Sequence, residues 1–263
     1  MDPKILELEH ERWLENLKYA AVIQKSLLPK KRHLDRISSD HALIYEPLEH
    51  VSGDFYWTAK RDIFEFIAVG DCTGHGVPAA MLSLFVLNSL EYLVMNKNLI
   101  NTAEILKHLD KRFIESFHER KDHLYNTEWI DISIVCINRR MNEIYFSSAN
   151  RRMLIIKKNS EMFVQKGNNF PIGGWQFSEN RDFSVQITPF EQGDVLYLGS
   201  DGFQNQLGGE KIKKFGANRL HQFFADHVNM PLDEQFSGLQ REFDTWKGTQ
   251  DQTDDICLLG MRL

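Results

Sequence analysis

Between residues 3 and 28, apolar side chains return every seven positions at Leu6, Trp13, Ala20 and Leu27, with Leu17 four after Trp13. A stripe at that interval predicts a helix. Asp2 suits a cap and Pro3 a first helical turn. Pro29, followed by Lys30, Lys31 and Arg32, predicts its end. His10 and Gln24 interrupt the stripe. Two readings follow: an amphipathic helix packed on its own domain, or a helix that dimerises or carries a signal. From about residue 40 the pattern changes. Runs rich in Ile, Val, Phe and Tyr at 42–45, 64–69, 130–137, 143–147, 152–157, 183–187, 195–199 and 256–261 are bounded by turn residues and predict strands. Segments 78–96 and 102–119 predict helices. Pro78 fits an early helical position, and Met81, Leu84, Phe85 and Leu90 give a broad apolar face. Two more helices are predicted at 219–226 and 232–246. Strands, two helices, many strands, helices and a last strand make an α+β order with a mostly antiparallel sheet. The expected division is a helix and linker over 1–35 and a folded domain over 36–263.

Composition narrows the classes. The chain has 263 residues, with 31 Lys and Arg against 37 Asp and Glu, for a net charge of -6. Sequence-independent nucleic-acid binding needs a basic face, so no nucleic-acid partner is expected. Cys72, Cys136 and Cys257 lie far apart and form no CxxC. They predict neither a disulfide framework nor a cysteine zinc site, and they suit a reducing compartment. The longest apolar stretches, such as 79–87, are broken by Ser and read as too short to span a bilayer. The charged N-terminus lacks the apolar core of a signal peptide. A cytoplasmic location is expected.

The chemistry lies in the acidic residues. Four segments put Asp at the end of an apolar run or beside a glycine turn. They are Gly53-Asp54-Phe55-Tyr56, Val69-Gly70-Asp71-Cys72, Leu198-Gly199-Ser200-Asp201-Gly202 and Thr253-Asp254-Asp255-Ile256. The sheet fixes the backbone of an Asp leaving a buried strand and leaves its carboxylate at the rim. Several such carboxylates together repel one another unless cations sit between them. Hard divalent ions such as Mg²⁺ or Mn²⁺ prefer oxygen ligands of this kind. A lone Asp-Gly is usually a turn; the collinear set carries the information.

These motifs resemble the SpoIIE-type metal-dependent Ser/Thr protein phosphatases, the bacterial branch of the PPM superfamily. Ser52-Gly53-Asp54-Phe55-Tyr56 resembles the family's Gly-Gly-Asp and aromatic pair. The stretch from Val69 to Leu82 resembles its strand, Asp turn and helix. Pro171-Ile172-Gly173, the segment from Gly193-Asp194 to Gly202, and Asp254-Asp255-Ile256 match in order. The resemblance spans about residues 40–263. The chain departs from the family pattern at Ser52, where Gly is common, and at Trp57, where a second acidic residue often stands. Ser148-Ala149-Asn150-Arg151-Arg152 replaces the family's Asn-Ala-Gly-His-Pro.

The resemblance implies an antiparallel β-sandwich flanked by helices, preceded by an N-terminal helix. It also implies two Mn²⁺ or Mg²⁺ ions. Asp71 would bridge them, and the backbone carbonyl of Cys72 would help hold one. Asp201 and Asp254 would hold the other, with Asp255 the weaker of its pair. Asp54 would ligate metal or orient its water. Hydroxide bridging the ions would then attack phosphoserine or phosphothreonine on a signalling phosphoprotein, such as an anti-sigma-factor antagonist in partner switching. His75 is a candidate proton donor to the leaving oxygen. Arg151 and Arg152 are candidates to attract phosphate. Segment 204–216, with Lys211, Lys213 and Lys214, reads as a mobile cationic loop that contacts the phosphoprotein, or as a plain surface loop. The N-terminal helix resembles a regulatory linker and a homodimer contact. The competing readings are a catalytically weak scaffold on the same fold and another two-metal phosphoesterase such as a nuclease, which the acidic net charge disfavours.

Overall fold

The computed structural model describes residues 3–118, 128–174 and 181–263. Asp2 and Glu119, at the edges of two predicted helices, lie outside the described residues. The chain begins with helices α1 (Pro3–Leu27) and α2 (Lys31–Asp35). Strands β1 (His41–Glu46), β2 (Phe55–Arg61) and β3 (Phe64–Cys72) follow. Helix α3 (Gly76–Glu91) runs on through a π turn at Tyr92–Asn96, and α4 (Thr102–His118) follows. Next come β4 (Trp129–Asn138), β5 (Glu143–Ala149), β6 (Arg152–Ile156), β7 (Met162–Lys166), β8 (Ile172–Gly173), β9 (Gln186–Pro189) and β10 (Val195–Gly199). The last third holds α5 (Gly202–Asn205), β11 (Leu207–Gly208), β12 (Lys213–Lys214), α6 (Ala217–His227), α7 (Leu232–Lys247) and β13 (Ile256–Arg262).

Two antiparallel sheets result. One has the order β1-β13-β10-β6-β7, and the other β2-β3-β4-β5-β9 with β8 paired to β4. Alternation along the strands shows how they stack. In β10, Leu196 and Leu198 join the main core with residues of β3, β4, α3 and α4. Val195 and Tyr197 face the other way and meet Phe224, Phe236 and Phe243 of α6 and α7. β13 divides likewise, with Cys257, Leu259 and Met261 inward and Ile256 and Leu258 outward. A side-chain period of two thus feeds two cores from one strand. In β4, Ile130, Ile132, Ile134, Val135, Cys136 and Ile137 are all buried, because both of its faces are covered. The product is a helix–sheet–sheet–helix sandwich, as the α+β order and the resemblance imply.

Several elements depart from the expectations. α3 starts at Gly76, which puts Pro78 in the first turn, where its missing N–H costs nothing. With its π turn this helix covers Gly76–Asn96 and is long and apolar enough to cross a membrane, contrary to the expectation from 79–87. However, 56% of its most apolar window is buried in the domain, as in a core helix. The strand expected at 183–187 begins only at Gln186. Upstream, Asn168 accepts the Ser184 N–H at 3.0 Å, and the Phe183 ring packs on Phe170, so side chains rather than a ladder hold this stretch. Strands β2 and β7 and the short helix α2 were not expected. Segment 204–216 is not a free loop. It folds into the β11–β12 hairpin, and the Gly209 N–H donates to the Trp246 carbonyl of α7 at 2.8 Å.

Candidate active site

The four predicted Asp segments meet at one end of the sandwich. Asp71 lies near the end of β3, directly opposite Asp131 of β4. Asp201 stands just before α5 after β10, Asp254 just before β13, and Asp54 just before β2. Two glycines permit this closeness. A Cβ on Gly53 would lie 3.0 Å from the Cys72 carbonyl oxygen and 2.9 Å from the Ala79 side chain, at the root of α3. A Cβ on Gly202 would lie 1.9 Å from the Asp255 carbonyl oxygen. The sheets are stitched together at the same level. Ser200 Oγ accepts the Cys257 N–H at 3.0 Å and donates to the Asp54 carboxylate.

Arg151 occupies the centre. The link between β5 and β6 turns at Asn150, whose φ of 57° lies in the left-handed region. Asn tolerates that region best after Gly, which explains why it can stand at the family's Gly position. The turn delivers the Arg151 side chain, only 10% exposed, into the carboxylates. Its guanidinium pairs with Asp71, reaches Asp201 at 3.1 Å and lies 3.8 Å from Asp131. Among the described residues its Nε has no hydrogen-bond partner. Asn150 donates to Asp131 at 3.0 Å.

The site carries more negative charge than one guanidinium offsets. Burial raises Asp54 well above the ordinary carboxylate range, and Asp71 beside it adds to the rise. Burial also pushes Asp71 up to about 7, opposed by Arg151 and reinforced by Asp201, Asp254 and Asp131. Asp131 and Asp254 are raised mainly by burial. Asp201 is desolvated too, but the charge and hydrogen bonds of Arg151 outweigh that and hold it below its ordinary value. An all-oxygen set that is costly to keep ionised suits hard divalent cations. As they stand, no three acidic, imidazole or thiol groups among the described residues converge on one ion, and Arg151 lies between Asp71 and Asp201. A cation at these oxygens would therefore have to compete with this guanidinium.

The remaining candidates fall elsewhere. Asp255, expected among the metal ligands, points away. Its two oxygens accept the backbone N–H groups of Leu48 at 2.7 Å and Gly53 at 2.8 Å, so it anchors the loop that carries Asp54. His75, the candidate acid, is exposed in the turn before α3, and among the described residues its ring bonds only to Glu49, at 3.1 Å. The Cys72 side chain is buried and its thiol is pushed well up, mainly by burial. Asp131 was missed. The signal was there: it is the one acidic residue in the apolar run 130–137. Gln24 was missed as well, having been read as a flaw in a helical stripe.

The Asp71 shift predicts a pH effect on the metal-free protein. Its folded pKa lies above the unfolded value of about 3.9. Its contribution to stability is therefore complete below that value and is lost as pH rises through about 7. In EDTA, Tm should fall by several degrees between about pH 5.5 and about pH 8, and saturating Mn²⁺ should cancel the fall. A level Tm in EDTA across that window would contradict the arrangement.

Gln24 links α1 to the site. Its amide nitrogen donates to the Ser52 carbonyl at 2.6 Å and to Ser83 Oγ of α3 at 3.0 Å. Its oxygen accepts the Ser52 N–H at 3.1 Å, and Ser52 Oγ accepts the Asp54 N–H at 3.0 Å. Gln24→Leu would leave both buried backbone groups of Ser52 unpaired, at about 1–3 kcal/mol each. The expected result is a Tm drop of roughly 4 °C or more, with weaker Mn²⁺ binding by calorimetry. Unchanged melting and binding would show that this contact contributes nothing.

This pair of antiparallel sheets between helices is shared with solved PP2C-type phosphatase domains. The SiaA-PP2C domain of Pseudomonas aeruginosa superposes with a TM-score of 0.87 at 26% identity, over 97% of this chain and 98% of that one, a coverage that includes most of α1. The PP2C phosphatase domain and regulatory fragment of SpoIIE from Bacillus subtilis shares the fold, with a TM-score of 0.66 at 19% identity, over 85% of this chain and 63% of that one. In sequence, the phosphoserine phosphatase RsbU of Bacillus subtilis (strain 168) is 23% identical over 188 residues, 71% of this chain and 52% of RsbU, so the chain spans about half of that relative. The family model for Stage II sporulation protein E (SpoIIE) matches residues 65–263, and the chain belongs to this family.

Proposed function

We propose that the chain hydrolyses phosphoserine or phosphothreonine on a signalling phosphoprotein of the partner-switching kind, an anti-sigma-factor antagonist being the expected class. Asp54, Asp71, Asp201 and Asp254 would hold two Mn²⁺ or Mg²⁺ ions, with Asp131 at their edge. The observation that carries this reading is the gathering of these carboxylates, desolvated and short of positive charge, at one end of the sandwich. The ions would supply a water of lowered pKa and offset phosphate charge. The chain's own residues do the positioning. Ser200 orients the Asp54 carboxylate. Arg151, which pairs with Asp71 and Asp201, would be available to orient a phosphoryl oxygen if ions took those carboxylate oxygens. No protein nucleophile is required, and the buried, protonated Cys72 could not serve as one. Hydrolysis of p-nitrophenyl phosphate and a phosphoserine peptide should vanish in EDTA and return with Mn²⁺. Turnover indifferent to chelation would sink the reading. An intact carboxylate set speaks against a mere scaffold.

α1 favours self-association. Among the described residues, only Leu17 and Gln24 of this helix are buried. Leu6, Trp13 and Leu27, three members of the seven-residue stripe, are each more than half exposed. An unpartnered stripe at this interval suits a second copy of the same helix. The wild type is expected to sediment as a dimer, and Leu6→Glu with Trp13→Glu as a monomer. A monomeric wild type at tens of micromolar would refute this.

A further inference from the structure

Beside the carboxylates, a cleft of about 460 Å³ runs over the outer face of the β1-β13-β10-β6-β7 sheet. That is within the range of binding pockets, about 300–1,000 Å³. Its mouth is formed by Asp131, Asn150, Arg151 and Asp201, so it opens directly from the proposed reaction centre. Its floor is apolar: Leu154 of β6, Tyr197 of β10, and Leu220 and Phe224 of α6. Val164 of the edge strand β7 extends that apolar surface to the rim, where it is 41% exposed.

The charge along the cleft is polarised. Its carboxylates, Asp131 and Asp201, stand only at the mouth. Away from the mouth come Arg152 and Lys214, and among the described residues neither has a carboxylate within ion-pair distance; Lys214 instead donates to Asn205 Oδ1 at 2.9 Å. The first turn of α6 also borders the cleft. It has no acidic residue, and its cap, Gly216, offers no side chain to its free N–H groups. A helix start left open in this way adds positive potential to that of the two cations. A ligand that follows the cleft from the metal end thus meets an apolar floor and then an unanswered positive rim.

We infer that this cleft receives the segment next to the phosphorylated residue of the partner protein, and that it selects a segment with an apolar side chain and an acidic side chain on the α6 side. The inference rests on the phosphatase reading above and adds substrate selection to it. Pairing of exposed charges contributes to specificity more than to raw affinity, and the apolar floor adds burial that a small phosphate ester cannot use.

The test uses the full-length chain and two labelled phosphoserine peptides of equal length and apolar content, one flanked by Glu and the other by Lys. Fluorescence anisotropy in EDTA reads docking without turnover. The wild type should prefer the Glu peptide by about tenfold at low salt, and less as salt rises. Lys214→Glu combined with Val164→Asp, both at exposed positions, should erase that preference and leave Mn²⁺-dependent p-nitrophenyl phosphate turnover within about twofold of wild type. Equal wild-type affinity for the two peptides overturns the inference, as does a preference that survives the double variant. A parallel loss of aryl phosphate turnover also overturns it, because these side chains would then act in the chemistry. A wild type that fails to turn over the aryl phosphate with Mn²⁺ removes the phosphatase reading, and the anisotropy ratio still decides docking.

Discussion

Asp71→Asn is expected to reduce metal-dependent phosphate ester hydrolysis by at least about a thousandfold, roughly 4 kcal/mol of transition-state stabilisation. Asp71 stands at the centre of the electrostatic network, sensing Asp201, Asp254 and Asp131 and pairing with Arg151. The amide keeps the shape of the carboxyl and removes its charge. Because the fold disfavours the charged form of Asp71, the variant should melt no earlier than wild type in EDTA at about pH 8. The rise in Tm that Mn²⁺ gives the wild type should shrink sharply. Lost activity with an intact, metal-insensitive fold separates a ligand from a structural residue. An Asn variant that still turns over substrate when Mn²⁺ is added would remove Asp71 from the site.

Gly202→Ala should damage both stability and activity. The added methyl would lie 1.9 Å from the Asp255 carbonyl oxygen, 2.9 Å from its carbon and 3.3 Å from the Asp254 Cβ. Backbone cannot rotate away as a side-chain tip can, so the start of β13 must retreat. That movement draws Asp254 from Asp201 and strains the Asp255 bonds to Leu48 and Gly53. Overpacking of this kind costs about 1–3 kcal/mol, and here the upper end is expected, with a Tm drop of roughly 6 °C or more. Metal-dependent turnover should fall at least about tenfold, since carboxylate spacing sets the site. Gly238→Ala in α7 is the control. There a Cβ would meet Phe223 at 3.5 Å and the Arg241 guanidinium at 3.7 Å, both ordinary contacts with side-chain ends, and a helical Ala should be neutral or stabilising by up to about 1 kcal/mol. Equal melting of the two variants would show that Gly202 accepts a methyl without displacing the start of β13.

The sandwich was legible because its strands are short, β-branched and punctuated, and because both faces of β4 are covered, which turns its sequence into one apolar run. Legibility failed where side chains replaced ladders. Segment 183–187 has strand composition, yet Asn168 and Phe170 hold its first half. β2 carries Thr58, Ala59 and Lys60 after its aromatic start and reads poorly as a strand, but the β3 ladder makes it one.

The carboxylates divide in the same way. Their number, order and place at strand ends are properties of the sequence, since a strand end next to glycine fixes where an Asp backbone stands. The direction each carboxylate faces is not. Neighbouring residues in an extended chain face opposite ways, so only packing could decide that Asp254 faces the site while Asp255 ties down the loop before Asp54. Asp131 belongs to the site because strand register sets it opposite Asp71, which no local pattern encodes. Arg151 reaches the centre because Asn150 adopts a left-handed turn between two strands. Gln24 and Ser52 meet across 28 residues because α1 packs beside α3. The sequence alone determined the family, the sandwich and the order of the acidic residues; the tertiary structure alone decided which charges face one another, because contact between distant residues follows from packing rather than from spacing along the chain.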